Sequence, residues 1–534
     1  MIVGAGPTGL TLANLLGGYG VPVLLVERNP TTVQEPRAVS IDDESLRTMQ
    51  AVGLVERVLE HVVEGYGSVY VDPHGKVFLT VSPTEMTYGY PRRNAFRQPK
   101  LEAQLREGLA RFGHVHTLFG WSLEEFTQDD EGVGYTLAGP GGATRIGRCS
   151  YLVGCDGAAS RVRTQLGLVL GGQTFSERWL IIDLEKSPTP SRHTQVFCDA
   201  ARPCIALPGP GATRRFEFKL MPGEQPEQML QPETVARLLA EHGADPAIAA
   251  IVRKTVYTFH ARVADTWRRG RVLLAGDACH LTPPFAGQGM NSGIRDAHNL
   301  AWKLAAVLQG RLGPLLLKSY ERERRGHVGE MIKLALRMGR IMAPRNRFAG
   351  YLTQALFRLL SAYPPARDYF AEMKYKPKPR FSQGFIVRDG RGARRTAVGR
   401  LLPQPTVLDA NGKQIRLDEA LGDGFALLAI TQDPGLFERM TGHNIWQRIG
   451  ARRLVIVREP VTYQGQVAVV QIAQPRMRDA ISAHERIMLV RPDRYVAGSA
   501  TLADADRFAR AISSLCDETF GGHVARLTQA SEPA

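Results

Sequence analysis

The 534-residue sequence lacks long apolar runs, cysteine pairs, internal repeats and low-complexity tracts. No apolar run approaches the roughly 20 residues that a membrane-spanning helix needs, and no secretory signal opens the chain, so we expect a cytoplasmic protein without a membrane partner. The six cysteines show no C-x-x-C or C-x-x-C-H spacing, which argues against a disulfide framework or a cysteine metal site. Apolar (44%) and charged (22%) contents are typical of an ordinary globular chain.

Basic residues outnumber acidic ones by 67 to 52, which gives a net charge of +15. The basic residues are scattered, and the short clusters at 322–325 and 391–395 lack interleaved stacking aromatics. We therefore expect no nucleic-acid partner. The excess charge is assigned to solvated surface and to steering of anionic small molecules.

The first 30 residues predict a strand, a glycine turn, a helix and a second strand. Gly4, Gly6 and Gly9 form G-x-G-x-x-G, in which the glycines permit a tight turn, close approach of a pyrophosphate and helix–strand packing. Glu27 ends the second strand, where a carboxylate accepts hydrogen bonds from ribose hydroxyls. A glycine turn in another kind of α/β protein is the alternative. Almost nothing precedes Val3, so we expect a truncated start or a late-assigned initiator methionine.

Two later segments are predicted to meet the glycine turn around one flavin dinucleotide. The first is 155–163, which contains Asp156, and the second is 275–291, where Asp277 ends a buried strand and can hold a ribitol hydroxyl. Gly287 and Gly289 would bring backbone close to a planar ring, and the helix that follows aims free N–H groups at it. Taken singly, these residues are also explained as helix caps.

The periodicity of the remaining chain predicts further elements in order. They are helices over 43–52 and 55–63, a β-hairpin over 68–81, antiparallel strands over 115–148, a mostly antiparallel sheet over 167–264, helices from near Met290, over 315–339 and over 348–362, and a separate α/β pattern after the linker at 375–380. The helix over 348–362 has an apolar face that we assign to the core or to a dimer contact rather than to a membrane. The last residues, 528–534, are predicted to be frayed.

These motifs resemble the class A flavoprotein aromatic hydroxylases, the group shaped like p-hydroxybenzoate hydroxylase. The similarity covers nearly the whole chain and includes the strings beginning at Pro36, Tyr90, Phe259 and Leu281. It implies an α/β fold, with a Rossmann-like FAD-binding domain, an inserted antiparallel-sheet substrate domain and a C-terminal thioredoxin-like domain. The implied boundaries are 1–166 with a substrate-side hairpin near 67–97, then 167–264, 265–372 and 380–534.

The resemblance also implies an activity. NADH or NADPH would reduce FAD, O2 would form a flavin C4a-hydroperoxide, and a phenolic acid, expected to be 3-(3-hydroxyphenyl)propionate or 3-hydroxycinnamate, would be hydroxylated in aromatic catabolism. The alternatives are a polyketide or antibiotic hydroxylase of the same fold and a flavin-binding protein without turnover. The C-terminal part lacks C-x-x-C, so we expect a role in oligomerisation or stability, with a homodimer as one possibility.

Site residues follow in part from the resemblance and in part from the chemistry of a phenolic acid. The cofactor-binding set is Gly4, Gly6, Gly9, Glu27, Arg28, Arg37, Gln98, Asp156, Asp277, Gly287, Gly289, Met290 and Asn291. The catalytic candidates are Pro284, through its carbonyl, and His260 and Tyr257. The carboxylate candidates are Arg192, Arg214 and Arg215, although an arginine on a strand is also typical of a solvated face and His260 is equally explained as structural. No metal site is expected.

Overall fold

The computed structural model describes residues 1–187, 191–245, 247–392, 394–473 and 486–521. The predicted frayed end at 528–534 lies outside these residues. In chain order the strands are β1 (Ile2–Val3), β2 (Val23–Glu27), β3 (Ser40–Asp42), β4 (Val62–Val63), β5 (Ser68–Val71), β6 (Val77–Val81), β7 (Arg93–Phe96), β8 (Val115–Phe119), β9 (Ser122–Gln128), β10 (Val133–Ala138), β11 (Thr144–Cys149), β12 (Leu152–Gly154), β13 (Leu170–Glu185), β14 (Thr194–Phe197), β15 (Cys204–Pro208), β16 (Arg214–Lys219), β17 (Ala250–Ala264), β18 (Arg268–Arg269), β19 (Val272–Leu274), β20 (His280–Leu281), β21 (Thr406–Leu408), β22 (Gln414–Arg416), β23 (Ala426–Ile430), β24 (Arg452–Val457), β25 (Ala468–Ile472), β26 (Arg486–Val490) and β27 (Val496–Thr501).

The helices surround and connect these strands. They are α1 (Pro7–Gly18), α2 (Asp43–Val52), α3 (Val55–Leu59), α4 (Gln98–Gly108), α5 (Arg161–Gln165), α6 (Pro226–Met229), α7 (Pro232–Glu241), α8 (Gly289–Leu308), α9 (Lys318–Met342), α10 (Arg347–Ala362), α11 (Pro364–Ala371), α12 (Leu417–Leu421), α13 (Pro434–Met440), α14 (Asn444–Arg448) and α15 (Ala505–Glu518). The chain is therefore a mixed α/β protein.

A six-stranded sheet carries the glycine turn at its centre. The strand order is β18-β19-β12-β1-β2-β8, and every pair except β18–β19 is parallel. Parallel strands present their carboxyl ends at one edge, so the loops that follow β1, β2, β12 and β19 meet there. The turn at Gly4, Glu27, Asp156 and Asp277 belong to these ends.

Two sequence-based predictions are wrong in part. The region 115–148 was expected to be antiparallel, but β8 is parallel to β2 and only β9–β11 form an antiparallel sheet. The physical reason is that β8 follows helix α4, and a strand that returns from a crossover helix pairs in parallel. The helix over 55–63 ends at Leu59, because Val62 and Val63 are β-branched and pair with β7 as β4.

An eight-stranded sheet stands beside the first sheet, in the order β20-β17-β13-β16-β15-β14-β5-β6. It is antiparallel except at β14–β5, and it includes the predicted hairpin β5–β6. Because side chains alternate along a strand, the sheet has two different faces. On the α7 face, Phe216 and Phe218 pack with helix α7. On the opposite face, which we call the Phe285 face, Trp179 and Phe259 contact Phe285.

The C-terminal part forms a seven-stranded sheet in the order β22-β21-β25-β24-β23-β26-β27. Strands β23, β24 and β25 are parallel to one another. Strand β26 is antiparallel to both of its neighbours, β23 and β27. One hydrophobic cluster joins Trp302 of α8 to Phe425 and Phe508 of this region, so the C-terminal sheet shares a core with the rest of the chain. The predicted domain boundaries at 166, 264, 372 and 380 stay a prediction.

Helix α10 packs one face on strand β6 and leaves the other face uncovered. Phe357 is buried, with its ring centroid 6.2 Å from that of Phe78. Phe348, Tyr351 and Leu359 are 76%, 67% and 72% exposed. Within the described part of the chain, we find no helix with both the length and the apolar character required to cross a bilayer.

Candidate active site

The glycine turn forms a tight corner that is open on one side. Gly4 has φ +103°, and its N–H donates to the Val26 carbonyl at 2.7 Å. A Cβ on Gly9 would lie only 1.9 Å from the Gly4 carbonyl oxygen, whereas a Cβ on Gly6 would meet no atom within 4 Å. No side chain caps α1, which begins at Pro7. Its first-turn N–H groups are therefore available to an anion.

The second corner lies directly against the first. The Cys155 N–H donates to the Val3 carbonyl at 2.7 Å, and a Cβ on Gly4 would lie 2.4 Å from the Cys155 carbonyl oxygen. Asp156 accepts hydrogen bonds from the Ser160 hydroxyl at 2.5 Å and from the Val162 N–H at 3.0 Å. Asp156 is thus held at the start of α5, next to the glycine turn.

The third corner, at Gly276 and Asp277, packs against the glycine turn through the side chain of Thr8. A Cβ on Gly276 would lie 2.5 Å from Thr8 Oγ1. Asp277 follows Gly276 and is exposed to the cleft, although protein atoms surround its carboxylate. This desolvation raises the pKa of Asp277, while the charges of His280 and Arg37 partly lower it.

Asp296 of α8 holds the loop 276–280 in place through hydrogen bonds. Its carboxylate accepts from the Gly276 N–H at 3.2 Å, from His280 Nε2 at 2.6 Å and from Arg324 Nε at 2.8 Å. All of these side chains are buried. His280 therefore serves the strand–helix corner, as expected from its position three residues after Asp277.

The loop 36–39 is anchored from two sides. Gln98 accepts a hydrogen bond from the Ala38 N–H at 2.6 Å, and Arg215 Nη1 donates to the Arg37 carbonyl at 2.6 Å. The Arg37 side chain itself is exposed. Gln98 thus contributes to the site by holding this loop in place.

Asn291 ties the loop after Pro284 to strand β3. Its Nδ2 donates to the carbonyls of Ser40 at 3.1 Å and Gly287 at 2.7 Å, and its Oδ1 accepts from the Asp42 N–H at 3.1 Å. Gly287 has φ +62°, and a Cβ there would lie 3.3 Å from the Ser40 Cβ. The side chain of Asn291 is therefore fully used in positioning, which leaves the backbone of α8 for a ligand.

The other cofactor candidates lie at the mouth of the cleft. Glu27 Oε2 accepts from the Ala5 N–H at 2.8 Å, and Glu27 Oε1 accepts from the Asn29 N–H at 2.9 Å. Arg28 is exposed just beyond β2. Met290 is half-buried in the first turn of α8, and a Cβ on Gly289 would meet no atom within 4 Å.

The catalytic candidates are divided between the two faces of the eight-stranded sheet. Tyr257 lies on the Phe285 face, where its hydroxyl accepts a hydrogen bond from Arg253. His260 is three residues further along β17, so its side chain lies on the opposite face, where Nδ1 is 3.1 Å from Thr174 Oγ1. Pro284 directly precedes Phe285, whose ring centroid is 5.5 Å from that of Trp179.

The three arginine candidates do not converge. Arg215 lies on the Phe285 face and pairs with Asp183 at 2.6 Å. Arg214 lies on the α7 face, donates to the Gly243 carbonyl at 3.0 Å and stacks on Phe216. Arg192 is exposed and donates to the Glu64 carbonyl at 2.7 Å.

A cavity of about 250 Å³ lies between the loop 36–39 and the Phe285 face. Val39, Phe96 and Leu207 supply apolar walls, and the rest of the lining is largely charged, with Glu35, Asp183, Arg97, Arg214, Arg215 and Arg253.

The structure brings two residues to this region that the sequence patterns missed. Glu217 is 6% exposed on the Phe285 face, beside Ile181 and Ile205, and burial raises the pKa of its carboxyl. It accepts no hydrogen bond from the residues that the structure describes. Arg93, on β7, has no carboxylate of the described chain within 4.0 Å of its guanidinium. Neither residue belongs to a motif, so only tertiary contacts reveal them.

The site fits FAD. Three loops surround one cleft, the first-turn N–H groups of α1 are available to an anion, and acidic residues follow the strand ends. The open Cβ positions at Gly6 and Gly289 leave room for the pyrophosphate and for the planar ring, respectively. With the aromatic cluster of Trp179, Phe259 and Phe285 on the Phe285 face, the fold and site define an FAD-dependent aromatic monooxygenase.

Comparisons with known proteins place the chain within that class. The family described as FAD binding domain matches residues 1–335, and the HcaD C-terminal domain matches 399–515. The chain is 41% identical over 507 residues to the 3-(3-hydroxy-phenyl)propionate/3-hydroxycinnamic acid hydroxylase of Escherichia coli O81 (strain ED1a), which covers 93% of this chain and 91% of the relative. The protein therefore belongs to the family of FAD-binding aromatic hydroxylases.

Solved structures share the fold along almost the whole chain. Aklavinone-11 hydroxylase in complex with FAD and aklavinone is 25% identical with a TM-score of 0.78, covering 97% of this chain and 98% of that chain. The flavin-dependent monooxygenase PieE, solved with FAD and substrate, is 23% identical with a TM-score of 0.81 and the same coverage. Like other members, the protein uses FAD, NAD(P)H and O2.

Proposed function

We propose that this hydroxylase converts 3-(3-hydroxyphenyl)propionate, and also 3-hydroxycinnamate, to the 2,3-dihydroxy products in aromatic catabolism. The observation that carries the proposal is the 41% identity, across 93% of the chain, to a relative of that name. The net charge of +15 also favours the approach of an anionic substrate.

The chemistry that bound FAD supplies is acceptance of a hydride from NAD(P)H and then activation of O2 for transfer of one oxygen atom to the ring. In our proposal, the amides at the start of α1 hold the pyrophosphate, Glu27 holds the adenosine ribose and Asp277 holds the ribitol. Backbone N–H groups near Met290 and Asn291 face the O2 atom of the flavin ring, where negative charge develops on reduction.

The substrate would lie against the Phe285 face. Trp179 and Phe285 exclude water from the reacting atoms. Tyr257 and the carbonyl of Pro284 are proposed to hold the phenol hydroxyl, with Glu217 as a nearby acceptor for its proton. We do not retain His260 for substrate contact, because its side chain lies on the other face of the sheet, nor Arg214, because its guanidinium already donates to the Gly243 carbonyl at 3.0 Å.

A substrate panel tests the proposed function. The purified yellow protein is incubated with NADH or NADPH and with 3-(3-hydroxyphenyl)propionate, 3-hydroxycinnamate, 3-hydroxyphenylacetate or a polycyclic phenol. We expect the two proposed substrates to accelerate nicotinamide oxidation and to yield nearly one catechol for each nicotinamide oxidised. Product is identified by mass spectrometry.

The same panel separates the alternatives. Preference for the polycyclic phenol would replace the proposed substrate with an aromatic polyketide, an outcome that the likeness to aklavinone-11 hydroxylase favours. Bound FAD that neither NADH nor NADPH reduces, with or without a phenol, would contradict the enzymatic proposal as a whole.

We also propose that the exposed face of α10 joins two copies of this chain. This α10 face consists of Phe348, Tyr351, Leu352, Leu356, Leu359 and Tyr363, each between 52% and 76% exposed. Fully exposed aromatic side chains each present on the order of 150–250 Å², so the face amounts to roughly 700 Å². That area exceeds the largest apolar patch of a typical monomer, about 300–600 Å², and approaches the roughly 800 Å² that each partner buries in a stable interface.

Charge in the α10 face should dissociate the dimer. Leu352→Glu is expected to give a monomer at micromolar concentration, because the carboxylate would be buried without a partner. The control Ile146→Glu changes a 79% exposed residue on β11 and should leave the dimer intact. Sedimentation velocity measures both, and a wild-type monomer at all concentrations would contradict the proposal.

We infer a cytoplasmic location, because the reaction consumes reduced nicotinamide and all six cysteines are free thiols. The domain boundaries given above remain our proposal for the organisation of the chain.

A further inference from the structure

Arg93 lies on β7, and the residues that the structure describes offer it no acidic partner within 4.0 Å. Its Nη1 donates to the Ser68 hydroxyl, and its Cζ lies 4.6 Å from the centroid of the Tyr66 ring. Asp42 is directly across the β3–β7 pair, but its carboxylate binds Arg295 at 2.9 Å and Lys376 at 3.0 Å instead. The groups that act on Arg93 electrostatically are the hydroxyls of tyrosines, and no described carboxylate is among them.

Two other arginines in the interior, Arg47 and Arg324, each pair with a carboxylate. Arg47 binds Asp418 at 2.6 Å, and Arg324 binds Asp296 at 2.8 Å. Arg163, which has no carboxylate of the described residues within 4.0 Å, donates to two backbone carbonyls. A charge withdrawn from water without a partner is costly. The position of Arg93 therefore favours an anion that the chain itself does not provide.

A second observation at the same place also indicates a missing ligand. Tyr66 is 1% exposed, and its hydroxyl, which interacts with the Arg93 guanidinium, has no other hydrogen-bond partner in the described chain. Buried hydroxyls are nearly always satisfied. A hydroxyl and a guanidinium are donors that match a carboxylate, which accepts up to about four hydrogen bonds.

The surroundings are positive. The exposed Arg192 donates to the Glu64 carbonyl in the adjacent loop. His193 accepts a hydrogen bond from the Gly67 N–H at 2.8 Å, and its pKa is lowered by burial and by the charges of Arg192 and Arg93. The positive charges of Arg192 and Arg93 therefore favour an anion at this place.

The location suits a substrate bound on the Phe285 face. Strand β3, next to β7, is tied to Asn291 of α8 through Ser40 at 3.1 Å. Tyr70, which interacts with Arg93, belongs to the same apolar cluster as Trp179 and Phe285. In our proposal, a phenol ring at Pro284 that carries a short acid chain extends along this cluster toward Arg93.

We propose that Arg93, together with the Tyr66 and Ser68 hydroxyls, binds the carboxylate of the aromatic acid and selects acids over neutral phenols. The inference rests on the proposed function and assigns its specificity to a residue outside the three arginines that the sequence pointed to. Arg192 contributes to the positive field without direct contact.

The test compares two substrates that differ in the carboxylate. These are 3-(3-hydroxyphenyl)propionate and 3-propylphenol, which has the same chain length and no charge. For Arg93→Met we expect kcat/KM for the acid to fall about 30-fold or more, mainly through KM. The value for 3-propylphenol should stay within about twofold of the wild type, because its chain cannot pair with a guanidinium.

One further measurement and two further variants keep the result interpretable. Dissociation constants from substrate-induced changes in the flavin absorbance report binding without turnover. The matched control is Arg92→Met, the neighbouring arginine, which pairs with Glu85 at 2.6 Å and should leave the ratio of the two substrates unchanged. Arg93→Lys should recover part of the acid binding, since it restores the charge without the planar fork.

An equal loss for both substrates in Arg93→Met would overturn the inference, because it would show a structural role only. An unchanged value for the acid would overturn it as well. If the wild type hydroxylates neither compound, the proposed function fails, and the absorbance titration decides the role of Arg93 alone. Selective loss of acid binding would then support the site, and equal binding would refute it.

Discussion

Replacing Arg491 by methionine is expected to lower the free energy of unfolding by about 3–5 kcal/mol, because it would leave buried carboxylates without their main partner. Arg491 is 0% exposed and binds Glu323 of α9 through Nη1 and Nη2, each at 2.8 Å. Its Nε donates to Asp493 at 2.9 Å, and its guanidinium lies 5.1 Å from the Trp302 ring centroid. After the substitution, Lys303, 2.7 Å from Glu323, would be the remaining cation.

Urea denaturation followed by circular dichroism measures this loss. The control is Arg507→Met, which breaks an exposed pair with Asp504 in which Arg507 is 78% exposed, and should change stability by less than about 1 kcal/mol. A loss for Arg491→Met as small as that of the control would contradict the assignment.

Acid should remove the same stabilisation. Burial by itself would raise the pKa of Glu323. The positive charges of Arg491 and Lys303 outweigh burial and lower this pKa to about 2. A carboxyl whose folded pKa is depressed contributes fully above its unfolded pKa, about 4.3, and this contribution is lost as the pH falls toward 2. The difference in the free energy of unfolding between the wild type and Arg491→Met should therefore shrink as the pH falls from about 4.3 toward 2.

Gly9→Ala is expected to weaken FAD binding about 100-fold or more. The new Cβ would lie 1.9 Å from the Gly4 carbonyl oxygen, and both partners in this clash belong to the backbone. The start of α1 must therefore move away from the turn, which displaces the N–H groups that we propose to hold the pyrophosphate. The purified variant should be colourless, and flavin fluorescence titration gives its dissociation constant.

Two companion substitutions separate the fold from the ligand. Gly6→Ala places a methyl group in open space, so the apoprotein should keep its melting temperature and lose FAD affinity where the pyrophosphate approaches. Gly18→Ala, at the end of α1, also meets nothing within 4 Å and should change neither property appreciably. Normal FAD binding by Gly9→Ala would be incompatible with the assigned corner.

Much of the fold could be predicted because its signals are local. The glycine spacing, the β-hairpin over 68–81 and the helix from near Met290 depend on neighbouring residues, and the structure confirms them. The strand at 115–119 was assigned to the wrong sheet, because a short run of side chains does not reveal whether its partner is the next strand or a distant one. The same limit applied to Val62 and Val63.

The site could be predicted only where it is built from backbone motifs. The loops at Gly4, Asp156 and Asp277 were expected to meet, and they do so because parallel strands end at one edge of the sheet. The arginines were harder, since Arg214 and Arg215 are adjacent in sequence and lie on opposite faces of β16. Their roles differ only through partners in other strands.

The sequence by itself determined that this chain builds a dinucleotide corner and a flavin cleft, because glycine and acidic residues at strand ends have few other uses in that order. Only the tertiary structure decided which charged side chains already have an oppositely charged partner. Arg491 meets Glu323 across 168 positions, whereas Arg93 meets no carboxylate of the described residues. Pairing of charges depends on distance in space, and no periodicity along the chain encodes it.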